Sequence, residues 1–345
     1  MAYSTIPKGS LYMNTKLYTG NGSTNAITGV GFQPDWSWLK RRDSADSHAL
    51  YDAVRGVTKR LEANTTGAEA TKSAGLTTFG TDGFTLGNDT QANASGGTYA
   101  SWNWLGNGSG SANTAGDINS TVSVNTTSGF SIVSYTGTGS AATVGHGLGS
   151  VPKMIILKNR DSADVWRVYH KDISATKYLS LDSTAAAATA SSIWNDTEPT
   201  SAVFSIGTHG SVNGSGQNII AYCFADVTGY SKFGSYVGTG SDDGSFIYTG
   251  FSPAFVMVKK SSATNNWVMT DNKRNPSNVA TNCLFANLSD AEGVGLDFDL
   301  LSNGFKLRSN SGGTNTSGET YIYMAFAENP FVATSGTAAL PVTAR

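Results

Sequence analysis

Three stretches of this chain carry the same landmarks in the same order, and that limits the folds open to it. Tyr18-Thr-Gly-Asn-Gly-Ser23 returns as Tyr135-Thr-Gly-Thr-Gly-Ser140 and again as Tyr236-Val-Gly-Thr-Gly-Ser241. A proline follows each time (Pro34, Pro152, Pro253). Six residues beyond it a lysine ends an apolar run: Lys40, Lys158 and Lys259. A Ser-Ala pair comes next (Ser44-Ala45, Ser162-Ala163, Ser262-Ala263). Each stretch closes on an aromatic-rich run, Thr98–Leu105, Asn218–Ala225 and Thr320–Ala327. The tyrosines lie 117 and 101 residues apart. That exceeds the roughly 20–50 residues of a solenoid repeat and suffices for a small domain with its own core. The spacing predicts three tandem repeats: residues 1–110 with a short N-terminal arm at 1–12, residues 111–228, and residues 229–331. An Ala/Thr-rich tail, 332–345, remains. The Gly/Ser/Asn-rich stretch Gly106–Gly116 and the turn at Val227–Gly229 are the expected boundaries.

Short runs rich in Val, Ile, Phe, Tyr and Thr alternate with Gly, Asn and Ser clusters, which is the all-β pattern. Side chains alternate along a strand, so each closing run can be read face by face. One face carries Trp102 and Trp104, Tyr222 and Phe224, or Met324 and Phe326; the other is mostly smaller. A sandwich strand with its bulky face in the core fits this, so the fold expected is all-β, three β-sandwich-like units of jelly-roll or lectin-like type. The lysine-ended runs are apolar on both faces in the second and third stretches and should be central strands, with proline just outside the ladder.

Charged residues make up only 14% of the chain and the net charge is −2. No basic excess suits a nucleic-acid backbone, and no apolar run approaches the roughly 18 residues of a membrane span. Neither nucleic acid nor membrane is an expected partner. The N-terminal residues lack the apolar core of a signal peptide, which points to a soluble protein made in the cytoplasm. Cys223 and Cys283 do not make a disulfide framework.

Catalytic constellations are scarce. His48, His146, His170 and His209 form no metal-ligand spacing. His48 and His170 fall in related segments where the third stretch has Met269-Thr-Asp271, so packing roles are expected. The Gly-x-Gly pairs lack a Lys-Ser/Thr ending and a following helix, and read as turns or bulges. Asn107-Gly-Ser-Gly and Asn213-Gly-Ser-Gly read as linkers. The acidic residues Asp290, Glu292, Asp297 and Asp299 do not match a calcium loop. No metal, no cofactor and no catalytic residue is assigned, and the chain is read as a non-enzyme, with an enzyme acting on glycans as a minor alternative. Aromatic platforms often anchor contacts. Core filling is the alternative reading of the tryptophans; if they form a contact surface, the candidates are Trp36 and Trp38, with the loop carrying Arg41, Arg42 and His48.

The run from Tyr18 through Gly31-Phe-Gln-Pro-Asp-Trp-Ser-Trp-Leu-Lys40, with Asp52-Ala-Val-Arg-Gly56 after it, resembles a repeated domain of tailed-phage structural proteins, common in phages of marine and cyanobacterial hosts. Tyr321-Ile-Tyr-Met-Ala-Phe-Ala-Glu-Asn-Pro-Phe331 is similar to that family's usual ending. The resemblance covers residues 10 to 331. It implies a virion component without catalysis, of tail-fibre or receptor-binding type, or else a capsid decoration or cement protein. The partners implied are other virion proteins, further copies of the chain (a trimer foremost), and a host-surface glycan or receptor. Asp52-Ala-Val-Arg-Gly56 occurs in the first stretch alone, which would confine any role of Asp52 or Arg55 to it.

Overall fold

Turn residues break the chain into short antiparallel strands, and the α-helices are single turns of four residues. The computed structural model describes residues 4–330. The tail expected at 332–345 lies outside them. The architecture is all-β, built of several sheets.

Three large sheets hold the main features. The first orders its strands Met13–Thr19, Thr98–Trp104, Trp36–Arg41, Ala49–Asp52. The third follows the same plan: Ser231–Val237, Thr320–Pro330, Phe251–Lys260, Trp267–Asp271, then Leu284–Phe285. The second contains the same four, Phe130–Thr136, Asn218–Phe224, Met154–Asn159 and Arg167–His170, but is extended on both sides. Ser120–Asn125 and Ser111–Asn113 are added beside Phe130–Thr136, and Lys177–Ser180 and Ala188–Thr189 beside Arg167–His170. The closing runs and the lysine-ended runs lie side by side in each sheet, inside the ladder.

Register aligns the three sheets residue by residue. Trp36 faces Asp52 and Trp104; Met154 faces His170 and Phe224; Phe255 faces Asp271 and Phe326. The bulky face of each closing strand does not fill a core of its own. Trp104, Phe224 and Phe326 meet in a triangle of edge-to-face contacts at 6.3, 5.7 and 5.9 Å between centroids. Edge-to-face packing sets the positive rim of one ring on the negative face of another. Around the triangle Trp36 stacks on Tyr222 at 4.2 Å, and Trp102 meets Phe255 at 5.8 Å. One hydrophobic core thus draws on all three stretches. The opposite faces pack on small sheets. Leu39 and Tyr51 meet Ile27, Phe84 and Leu86 in the first stretch; Ile155 and Leu157 meet Val144, Phe204 and Ile206 in the second. This layering is consistent with a β-sandwich.

Three expectations change. Pro253 lies inside its strand, opposite Ala327 at a register shift, and not outside the ladder. Residues 4–12 are no free arm, because Ile6 is buried in the shared core and Gly9 lies against Ala327, where a Cβ would meet the Ala327 carbonyl oxygen at 1.8 Å. Nor is Gly106–Gly116 only a spacer, because Ser111–Asn113 pairs into the second sheet.

The repeated Tyr-x-Gly-x-Gly-Ser turn is explained by a residue far along the chain. Asn93, Asn213 and Asn315 are buried. The side-chain oxygen of each accepts from the backbone N–H after the first glycine: Asn21, Thr138 and Thr239. The side-chain amide donates to the turn's serine carbonyl, on Ser23, Ser140 and Ser241. The Tyr18, Tyr135 and Tyr236 hydroxyls bond the carbonyl just before each asparagine, on Ala92, Val212 and Thr314. A Cβ on Gly20 would lie 2.2 Å from the Ala94 carbonyl oxygen, while Gly22 sits at φ +68. The first glycine admits the backbone and the second admits the turn. Asn213 is therefore a buried staple and not part of a linker.

Candidate functional site

The polar side chains of the large sheets meet where one stretch joins the next. The Lys40 ammonium donates to its neighbour carbonyl on Arg41 and, across the junction, to Ser289 O at 3.1 Å. Lys158 reaches Thr66 O of the first stretch at 3.0 Å, and Lys259 reaches Thr184 O of the second at 3.0 Å. The contacts run from first to third, third to second and second to first, so they close a circle. All three lysines are buried, and burial pushes each down to about 8. The residue paired across from each lysine repeats the circle. His48 Nε2 bonds Phe285 O, Trp166 Nε1 donates to Glu62 O, and Trp267 Nε1 donates to Ser180 O.

Two of the three junctions add an ionic network. At one, Tyr222 donates its hydroxyl to Asp52 Oδ2 at 2.7 Å, Arg55 Nε binds the same oxygen, and Glu69 bridges Arg55 to Arg160. At the other, Trp102 Nε1 donates to Asp271 Oδ2 at 3.0 Å, Arg274 Nε binds that oxygen, and Glu292 bridges Arg274 to Arg42. Burial works against the Arg55 charge. The surrounding Asp52, Tyr222 and Glu69 outweigh it and hold the guanidinium above its ordinary value. The pair Asp52–Arg55 is thus not confined to the first stretch. Asp271-Asn-Lys-Arg274 repeats it with only the spacing kept, which is why the five-residue motif concealed it.

These networks account for the proposed contact residues. Trp36 and Trp38 are core residues, at 0% and 1% exposure, and cannot meet a partner. Their strand lies inside the sheet, and both rings face the shared core. His48 is fully buried, accepts from Trp38 Nε1 at Nδ1 and is pushed down to about 3 by burial. Arg42 is committed to Glu292. Arg41 pairs with Asp43 and Asp46 and keeps some exposure. Of the five, Arg41 and Arg42 reach the surface in part, so the five do not form a patch. His146 Nε2 bonds the Thr200 carbonyl, and His209 Nδ1 accepts from the nearby Ser211 N–H. Cys223 and Cys283 are buried thiols raised by burial. Among the described residues no three of His, Cys, Asp and Glu converge as metal ligands. The arrangement joins stretches to one another, and its titratable groups are occupied in doing so.

A family model described as a domain of unknown function (DUF7483) matches residues 8–330. The chain belongs to this family. The DUF7483 match runs through all three sheets and both ionic networks without a break. No curated protein and no solved structure matches the chain.

The sequence signals for the networks were present but scattered. Asp52 and Asp271 stand at corresponding strand ends, and each has an arginine three residues on. The bridging Glu69 and Glu292 sit in loops with no shared motif. They correspond only through their backbone, Glu69 N to Arg160 O and Glu292 N to Arg42 O.

Proposed function

We propose that the chain is three copies of one β-module closed head to tail, and that it serves as a non-enzymatic structural protein of a tailed-phage particle. The circular set of junctions supports the first part: each module's buried lysine bonds the loop of the module before it, and the first module's lysine bonds the last. A closed ring presents three related outer faces at fixed angles, which suits multivalent weak contacts. The resemblance to tailed-phage proteins supports a place in the virion. A tail-fibre or receptor-binding head is the leading reading, with virion proteins on one side and a host-surface glycan or receptor on the other. Shared-core closure makes a compact head and no shaft. That compactness favours a second reading, a decoration or cement protein seated on the capsid lattice.

Cryo-electron microscopy of the particles is the test. Density with a threefold outline at the tail is the expected result. Density on the capsid lattice would shift the assignment to decoration, and absence from purified particles would overturn both.

A further inference from the structure

Each large sheet begins with a strand at its edge, and the three edges have different fates. In the first sheet Leu105 N bonds Tyr12 O and Gly20 N bonds Gly97 O. Antiparallel bonding alternates, so the N–H and C=O groups of Met13, Thr15 and Leu17 turn away from the Thr98–Trp104 strand. Among the described residues the Met13–Thr19 strand pairs on that one side alone. In the second sheet the corresponding outward residues are Phe130, Ile132 and Ser134, and they pair with Asn125, Ser123 and Thr121 of an added strand. That strand lies between modules: Ser123 Oγ accepts from Asn107 N at 2.7 Å and stands beside Asp35 and Gly106 of the first stretch. In the third sheet the outward Phe233 N–H is taken by Asp226 Oδ1 at 2.9 Å.

The first edge opens instead on a cleft of about 600 Å³ between the first and third stretches. Its wall holds Asn272, only 3% exposed, with neither side-chain atom partnered, and the buried, unpartnered Thr15 hydroxyl. Buried polar groups without partners are costly, and a ligand that reaches them relieves the cost. The fold does not demand them, because Thr15 corresponds to Ile132 and Phe233, and Asn272 to Ala53 and Lys171. Lys8, Lys16 and Lys273 line the cleft against one carboxylate, Glu328.

We propose that this cleft binds an extended, acidic segment of a partner protein by strand addition to the Met13–Thr19 edge. The ladder through Thr15 and Leu17 supplies main-chain bonds, Met13 being fully buried. The strand Ser120–Asn125 shows the same slot filled from within the chain in the second sheet. By that register, the guest residue opposite Thr15 carries a hydroxyl or amide to meet Thr15 and Asn272. The guest residue opposite Lys16 carries a carboxylate, since opposite charges attract across paired strands.

The probe is a fluorescein-labelled decapeptide with the sequence of residues 117–126, in which the residue matching Val122 is replaced by glutamate. Anisotropy with the full chain should show saturable binding. Thr15→Pro removes an outward N–H and places a ring in the slot while leaving the inner ladder intact, as edge positions allow. It should weaken binding more than tenfold. Lys16→Glu with Lys273→Glu, which touches no core residue, should weaken the acidic probe by a similar factor and leave the unsubstituted peptide unaffected. Equal binding by the wild type and both variants, or no binding, would overturn the proposal. So would binding that appears only after truncation at residue 330, or self-association that Thr15→Pro abolishes, because the slot would then belong to this chain itself.

Discussion

Two junctions of this molecule are ionic and the third is apolar. At the junction of the second and third stretches, His170 stands where the others have Asp52 and Asp271, and its Nε2 bonds Tyr323 O at 3.3 Å. Ile173 replaces Arg55 and Arg274. Ala187, whose N–H bonds Ser261 O, replaces Glu69 and Glu292. Ser261 replaces Arg42 and Arg160, and Met324 replaces the donors Trp102 and Tyr222. Every member of the network is exchanged together. A buried ion pair holds when all partners are present, and losing one leaves a charge uncompensated in the core. Replacing the whole set by apolar groups carries no such penalty, so intermediates between the two solutions are unfavourable. The backbone bonds and the buried lysine clips are shared by all three junctions. These common contacts hold the geometry, and the network is one of two ways to fill it.

The largest effect should come from breaking one network by a single step. Asp271→Ala leaves Arg274 buried beside Trp102 with only Glu292 of its two carboxylates, and should cost about 3–5 kcal/mol in chemical denaturation. His170→Ala at the apolar junction removes two long hydrogen bonds, to Tyr323 O and from Asp172 N, and should cost about 1–3 kcal/mol. Equal losses would show that the two solutions do not differ in kind.

The pH response sharpens the comparison from the other side. Burial lowers His48 to about 3 and His170 to about 4, so both are neutral in the folded protein. The unfolded chain takes up these protons below about pH 6.5. Stability contributed by each neutral histidine is complete above that value and is lost as pH falls toward the folded pKa. At pH 5 each should cost about 2 kcal/mol. His170→Asn should flatten the fall in Tm between pH 6.5 and 5.

The smallest net effect belongs to the complete exchange. Converting Arg42→Ser, Trp102→Met, Asp271→His, Arg274→Ile and Glu292→Ala together should change stability by no more than about 2 kcal/mol, far less than the sum of the single changes. A loss equal to that sum, by denaturant midpoint, would mean that the members act independently.

Much of the fold was legible in the sequence because it rests on local rules. Period-2 alternation placed Trp102 and Trp104 on one face, and the lysine-ended runs apolar on both faces marked the central strands. What that alternation could not say was where the bulky face points. A strand patterned for a private core looks the same as one patterned for a core shared by three sheets. Trp36 and Trp38 were misread for that reason, since extra tryptophans in the first stretch looked like surface platforms. They fill volume at the centre, where the other stretches supply Met154 and Ile156, or Phe255 and Met257. The Asn93, Asn213 and Asn315 staples were equally hidden, because each acts on a turn about 70 residues earlier. The ionic networks were concealed because their bridging glutamates lie in unmatched loops.

The central claim is that the three stretches form one closed unit, and calorimetric unfolding of the whole chain tests it most directly. A shared core centred on Trp104, Phe224 and Phe326 predicts a single transition whose van't Hoff and calorimetric enthalpies agree, moved down as a whole by Phe326→Ala, which should cost about 3–5 kcal/mol. Three separable transitions, with only one displaced by that substitution, would contradict it and return the chain to independent domains in a row.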